Sequence, residues 1–140
     1  MAIPKKEWDR AVRKMRKSVI RVLRGAKDCI HIYNPGAISE IFDKEVVSLI
    51  EKAAAQDIEI TILCHKNETE KLKVLLDKFT EKAILVNTEF PRHSYVYTHE
   101  GYAFFARYAT YITVKFVNIS ALWLVKHFAS AVKEAKTQPA

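Results

Sequence analysis

Asn34, His65, Arg92 and His93 together offer an amide, two imidazoles and a guanidinium, a set that suits an anionic or hydrogen-bonding ligand. Other chemistries find less support. The five histidines, at 31, 65, 93, 99 and 127, never stand four apart, the spacing that sets two metal ligands on one helical face, so no metal site is expected. Gly25, Gly36 and Gly101 are too far apart for a phosphate-cradling loop. Cys64 precedes His65 and could mimic a thiol–imidazole pair, but neighbours on a strand point to opposite faces, and a buried structural cysteine is the better reading. Cys29 and Cys64 form neither a zinc spacing nor a secretory disulfide framework. His31 reads as a satisfied core or rim histidine, His99 as a turn residue and His127 as solvent-facing. No cofactor is implied.

Most of this chemistry falls within residues 83–107. Residues 83–86 form a short apolar run, which Phe90-Pro91 breaks, because proline cannot donate to a ladder. Residues 93–98 and 102–107 then read as a hairpin around His99-Glu100-Gly101, with glycine available for a positive φ. Tyr95 and Tyr97 share one face of this hairpin by alternation, as pocket walls or core do.

The remaining elements must position those groups. Residues 5–24 read as a helix with Trp8, Val12, Met15, Val19 and Leu23 in one apolar stripe and Gly25 as its stop. Residues 1–28 hold ten Lys/Arg against three Asp/Glu, and the rest thirteen against thirteen, so the whole net charge of +7 belongs to this segment. The helix is either a packed helix with a solvated basic back or a surface for phosphates or anionic membrane through Arg13, Lys17 and Arg21. A strand at 29–33 leads into the turn Asn34-Pro35-Gly36. Ser39 is placed to cap a helix to about Ala55, followed by a strand at 58–64. Asn67 with Glu70 resembles a capping box for a helix through Phe79. A strand at 111–117 precedes a final helix, capped by Asn118 or Ser120, that runs to about Lys136.

The order α-β-α-β-α-β-β-β-β-α predicts an α/β fold: a mixed, mostly parallel sheet with helices on both faces. A single domain over 1–140 is expected, with the basic helix 5–24 and an α/β body over 28–136. No run is apolar and long enough to span a bilayer or act as a signal peptide, and a cytoplasmic location follows as the default. In such sheets ligands bind beyond the carboxyl ends of the parallel strands, here Asn34 and His65, with Arg92 and His93 if the hairpin starts at the same rim.

The run from His93 to Gly101 resembles a worn form of the phospholipase D superfamily signature His-x-Lys-x4-Asp-Gly, and the element order resembles one repeat of that fold. His93 and Gly101 match, Tyr95 stands for the lysine and Glu100 for the aspartate. Arg107-Tyr108-Ala109-Thr110 stands where the family has Gly-Ser-x-Asn. The resemblance implies the fold without its catalysis, since the phosphate-holding groups are replaced. Non-catalytic domains of this kind are similar to the effector-binding half of archaeal TrmB-type transcriptional regulators. Three functions follow as expectations. The first is a regulatory domain binding a small molecule at a rim lined by Asn34, His65, Arg92, His93, Tyr95 and Glu100. The second is a homodimeric phosphodiesterase using His93 from each chain, and the third is nucleic-acid binding through the basic helix. A two-fold homodimer is expected with Trp123 or Tyr108 near its centre, because Leu122, Trp123 and Leu124 cannot all face one core.

Overall fold

The computed structural model describes residues 3–138. Its elements are α1 (Lys5–Gly25), β1 (Cys29–Tyr33), α2 (Lys44–Ala54), β2 (Glu59–His65), α3 (Lys73–Phe79), β3 (Ala83–Val86), β4 (His93–Thr98), β5 (Gly101–Arg107), β6 (Ile112–Val117) and α4 (Leu122–Lys136). The sheet order is β3-β2-β1-β4-β5-β6. The fold is α/β with a mixed sheet and helices, as the element order implies, but the sheet is only partly parallel, with two parallel and three antiparallel strand pairs among the described residues. Strands separated by helical crossovers, β1–β2 and β2–β3, pair in parallel, while the close-set β4, β5 and β6 pair antiparallel. The join between the two halves is the antiparallel pair β1–β4.

Alternation along the strands builds a core on each face. Ile30, Ile32, Ile60, Ile62, Val96 and Phe105 pack under α1, α2 and α3; Tyr33, Leu63, Tyr95, Tyr97 and Tyr102 lie under α4. The apolar stripe of α1 is realised: Met15, Val19 and Leu23 are buried, and Trp8 and Val12 pack against the same core. Each such side chain contributes roughly 1.5–3 kcal/mol when fully buried, which is why a helix this basic on its other sides stays docked.

Several local expectations are corrected. The cap of α2 is Asp43, not Ser39: its Oδ1 accepts the Val46 N–H at 3.1 Å, and its Oδ2 accepts from Arg16 Nε at 2.9 Å. The contact with α1 selects Asp43 over an equally cap-competent serine, which lies within a 3-10 turn over Pro35–Ile41. Asn67 opens no long helix; His65 Nδ1 accepts its N–H at 3.0 Å to start a 3-10 turn, and α3 begins only at Lys73. Neither Asn118 nor Ser120 caps α4, because Ser120 Oγ lies 3.0 Å from the Tyr97 hydroxyl instead. Gly101 does not take a positive φ. Glycine is required there because a Cβ would stand 2.6 Å from the Val117 carbonyl oxygen, and the turn is tied by Thr98 Oγ1, which accepts the N–H groups of Glu100 and Gly101.

Two histidines also differ from expectation. His31 is not satisfied: its Nδ1 is buried without a partner among the described residues, while its ring stacks on Phe128 at 4.4 Å. His127 is not solvent-facing but half-buried, with Nδ1 at 2.8 Å from the Tyr95 hydroxyl.

Candidate functional site

The parallel strands β1 and β2 end at the same rim, at Tyr33 and His65, and the antiparallel register brings the start of β4 and the end of β5 there too. Asn34 follows β1 with φ 53° and ψ 52°, a left-handed conformation that asparagine tolerates better than most residues. Its N–H donates to the Leu63 carbonyl at 2.9 Å, and its Nδ2 donates to the carbonyls of Pro91 (3.2 Å) and His93 (2.9 Å). Ser94 Oγ adds a bond to the Tyr33 carbonyl at 3.0 Å. These bonds tie the end of β1 to the loop that carries Arg92.

Between them opens a cleft of about 510 Å³ lined by Asn34, His65, Arg92 and Arg107, with Glu68, Glu89 and Phe90 completing the wall. Arg107 donates its backbone N–H to the Arg92 carbonyl at 2.9 Å, so the end of β5 is tied to the loop before β4 and both arginines line the cleft. That of Arg107 also lies 5.5 Å from the Trp8 ring centroid, a cation–π contact that braces it. Because His65 Nδ1 already accepts a backbone N–H, its neutral ring carries the proton on Nε2, a donor available to a ligand. The Glu68 carboxylate lies against Gly36, where a Cβ would stand, so glycine is what admits the acid to the wall. The arrangement pairs cationic donors for an anion with carboxylate acceptors for hydroxyl groups.

Of the six expected ligand-binding residues, Asn34, His65 and Arg92 meet here. His93 and Tyr95 do not, because alternation turns both side chains to the α4 face. Glu100 lies at the opposite rim, in the turn between β4 and β5, where its carboxylate accepts the Lys27 N–H at 3.1 Å. Arg107, Glu68 and Glu89 belong to the cleft without having been anticipated. For Arg107 the signal was present, since a hairpin that begins at a rim also ends there.

His93 stands between the rings of Tyr33 (5.4 Å) and Phe104 (5.5 Å), with His127 at 5.6 Å. Burial, reinforced by His127, lowers its pKa from the ordinary histidine value, so the ring is neutral near pH 7. Tyr95, which stands where the resemblance calls for a phosphate-binding lysine, is wholly buried, and burial raises its hydroxyl pKa far above the ordinary value. A neutral imidazole beside a neutral phenol supplies a proton acceptor but no charge to stabilise a transferring phosphoryl group. Cys64 is buried, as expected, with its thiol pushed up to about 11.

On α1, Arg13, Lys17 and Arg21 are all exposed, and none forms an ion pair among the described residues. Arg21 turns sideways, its guanidinium 4.4 Å from the Phe116 ring centroid.

No family model matches the chain, and no curated protein matches it. A solved structure does. The chain is similar in fold to TrmBL2. That protein is described as an archaeal chromatin protein with a novel mode of DNA binding; the superposition gives a TM-score of 0.62 at 20% identity, over 86% of this chain and 50% of that one. The chain thus spans about half the length of TrmBL2, and the likeness to TrmB-type proteins expected from the sequence is upheld at the level of fold. Among the described residues no helix is long and apolar enough to cross a membrane, and no group of His, Cys, Asp and Glu could hold a metal ion.

Proposed function

We propose that this chain is a cytoplasmic, non-enzymatic regulatory domain of phospholipase D-like type that binds a small anionic, hydroxyl-bearing metabolite in the Asn34–His65–Arg92 cleft. The observation that carries this reading is the convergence of those three residues with Arg107 at the carboxyl rim of the parallel strands, while His93 faces the other side of the sheet in an aromatic setting. A role in transcription or chromatin organisation is supported by the fold shared with TrmBL2, described as a DNA-binding chromatin protein. A thermal-shift screen of sugars, nucleotides and phosphorylated metabolites tests the reading. A ligand at one hundred times its dissociation constant adds about 2.7 kcal/mol. The shift should vanish in the double variant Arg92→Ala, Arg107→Ala; a shift that survives there places the ligand elsewhere.

The unpaired cations of α1 favour a second reading, nucleic-acid binding through Arg13, Lys17 and Arg21. Each neutralised phosphate adds about −0.9 to the slope of log affinity against log salt, so three contacts predict roughly 40-fold weaker binding at 200 mM than at 50 mM salt. Charge reversal at the three positions should abolish that binding and leave the melting transition in place. An affinity insensitive to salt contradicts it.

A two-fold homodimer completes the reading. Leu124 is buried while Leu122 and Trp123 are 66% and 55% exposed, which leaves an apolar patch of the kind that marks an interface. Sedimentation equilibrium at micromolar concentration should give about twice the 16.1 kDa chain mass, and Trp123→Lys should halve it. A monomer in the unaltered protein sinks the dimer.

A further inference from the structure

The two edges of the sheet are treated differently. β3 is four residues long, and the chain just beyond it is held by Gln138 beyond α4, through Asn87 N–H to Gln138 Oε1 (3.2 Å) and Gln138 Nε2 to Thr88 Oγ1 (3.0 Å). β6 is six residues of unbulged strand without proline, and among the described residues it pairs with β5 alone. Short length and cover are two of the usual protections of an edge, and β6 has neither; its protective charge is the exposed Lys115 in mid-strand.

The backbone groups that β6 leaves free are set by its register. The bond from the Tyr108 N–H to the Tyr111 carbonyl at 2.8 Å marks that pair as hydrogen-bonded. Alternation then assigns Thr113, Lys115 and Val117 to β5 and points the N–H and C=O groups of Ile112, Val114 and Phe116 away from the sheet. The side chains of those same three residues lie on the α1 face. There α1 runs alongside the edge: Arg10 and Lys14 share a groove with Ile112 and Val114, and Arg21 lies over Phe116. These cations are four and seven residues apart along α1, hence on one side of the helix. Glu7 is the acid among them, at the amino end of the groove.

We infer that β6 is a docking edge for an extended acidic segment of a partner protein, which adds a seventh strand. Its main chain would pair with Ile112, Val114 and Phe116, and its alternate carboxylates would meet Arg10, Lys14 and Arg21. Backbone pairing supplies affinity in strand addition, and side chains at every second position supply selection. Charge decides against a second copy in the same place. Antiparallel pairing of two β6 strands about an axis normal to the sheet keeps both α1 helices on one face, so each row of cations would confront the other.

The test titrates a fluorescent eight-residue peptide of alternating glutamate and valine, with the lysine–valine peptide and a short DNA duplex as the other arms. The expected result is saturable binding of the glutamate peptide and not of the lysine peptide, weakened by salt and left in place by the duplex, with amide NMR shifts centred on Ile112, Val114 and Phe116. Val114→Pro removes an outward N–H without touching the β5 ladder and should abolish binding. Arg10→Glu with Lys14→Glu should also abolish it, and keeps the test valid if the proline variant fails to fold. No saturable binding at millimolar peptide overturns the inference, as does equal binding of the lysine peptide. Displacement of the peptide by the duplex, or concentration-dependent self-association blocked by Val114→Pro, would assign the edge to nucleic acid or to a second copy and overturn it equally.

Discussion

Replacing Tyr95 by alanine should destabilise the protein by about 3–5 kcal/mol, the range for deleting a large aromatic ring from a packed core. Tyr95 is fully buried, its ring stacks on Tyr33 at 4.9 Å with an interplanar angle of 12°, and its hydroxyl meets His127 Nδ1. It therefore joins β4 to both β1 and α4. Tyr95→Phe keeps the ring and loses only the bond to a half-buried imidazole, which water can partly replace, so about 0.5–1.5 kcal/mol is expected. Urea denaturation separates the two through the midpoint at constant slope. Equal, small shifts in both variants would mean that α4 does not dock on this ring.

Acidification should release the same interface. His31, His93 and His127 all lie between the sheet and α4, and burial lowers the pKa of each from the ordinary 6.5; His127 lowers that of His93 further. The unfolded chain then binds more protons than the folded one as pH drops through 6.5. The stability is accordingly complete above about pH 6.5 and is lost progressively as pH falls towards the depressed folded values. The melting temperature should fall between pH 7 and pH 5, with hydrogen exchange accelerating first in α4. Asparagine at His93 and glutamine at His127 should flatten the profile. A melting temperature that holds or rises over that interval contradicts the placement of these rings.

The order of elements and the two-sided core were legible because they rest on local periodicity. Met15, Val19 and Leu23 recur at helical spacing, and Ile30 with Ile32, and Ile60 with Ile62, at strand spacing. Where sequence reading failed, a distant contact chose between locally equivalent options. Ser39 and Asp43 are both competent caps, and Arg16, on another helix, makes the choice. Tyr95 and His127 are partners across 32 residues, a pairing visible only once α4 lies across β4. The candidate site was half legible for a simpler reason. Strand ends name the rim residues Asn34 and His65 directly, but the same hairpin that brings Arg92 to the rim sends Glu100 to the far end and turns His93 to the other face. Its returning strand delivers Arg107 in their place.

Amide and side-chain NMR mapping of the ligand found by thermal shift locates its binding site residue by residue. Saturable shifts are expected at the Asn34 side-chain amide, the His65 ring and the Arg92 and Arg107 Nε–H groups, with none at Lys27 and Glu100 on the opposite rim. Shifts confined to the opposite rim or to α1, with the cleft silent, would contradict it.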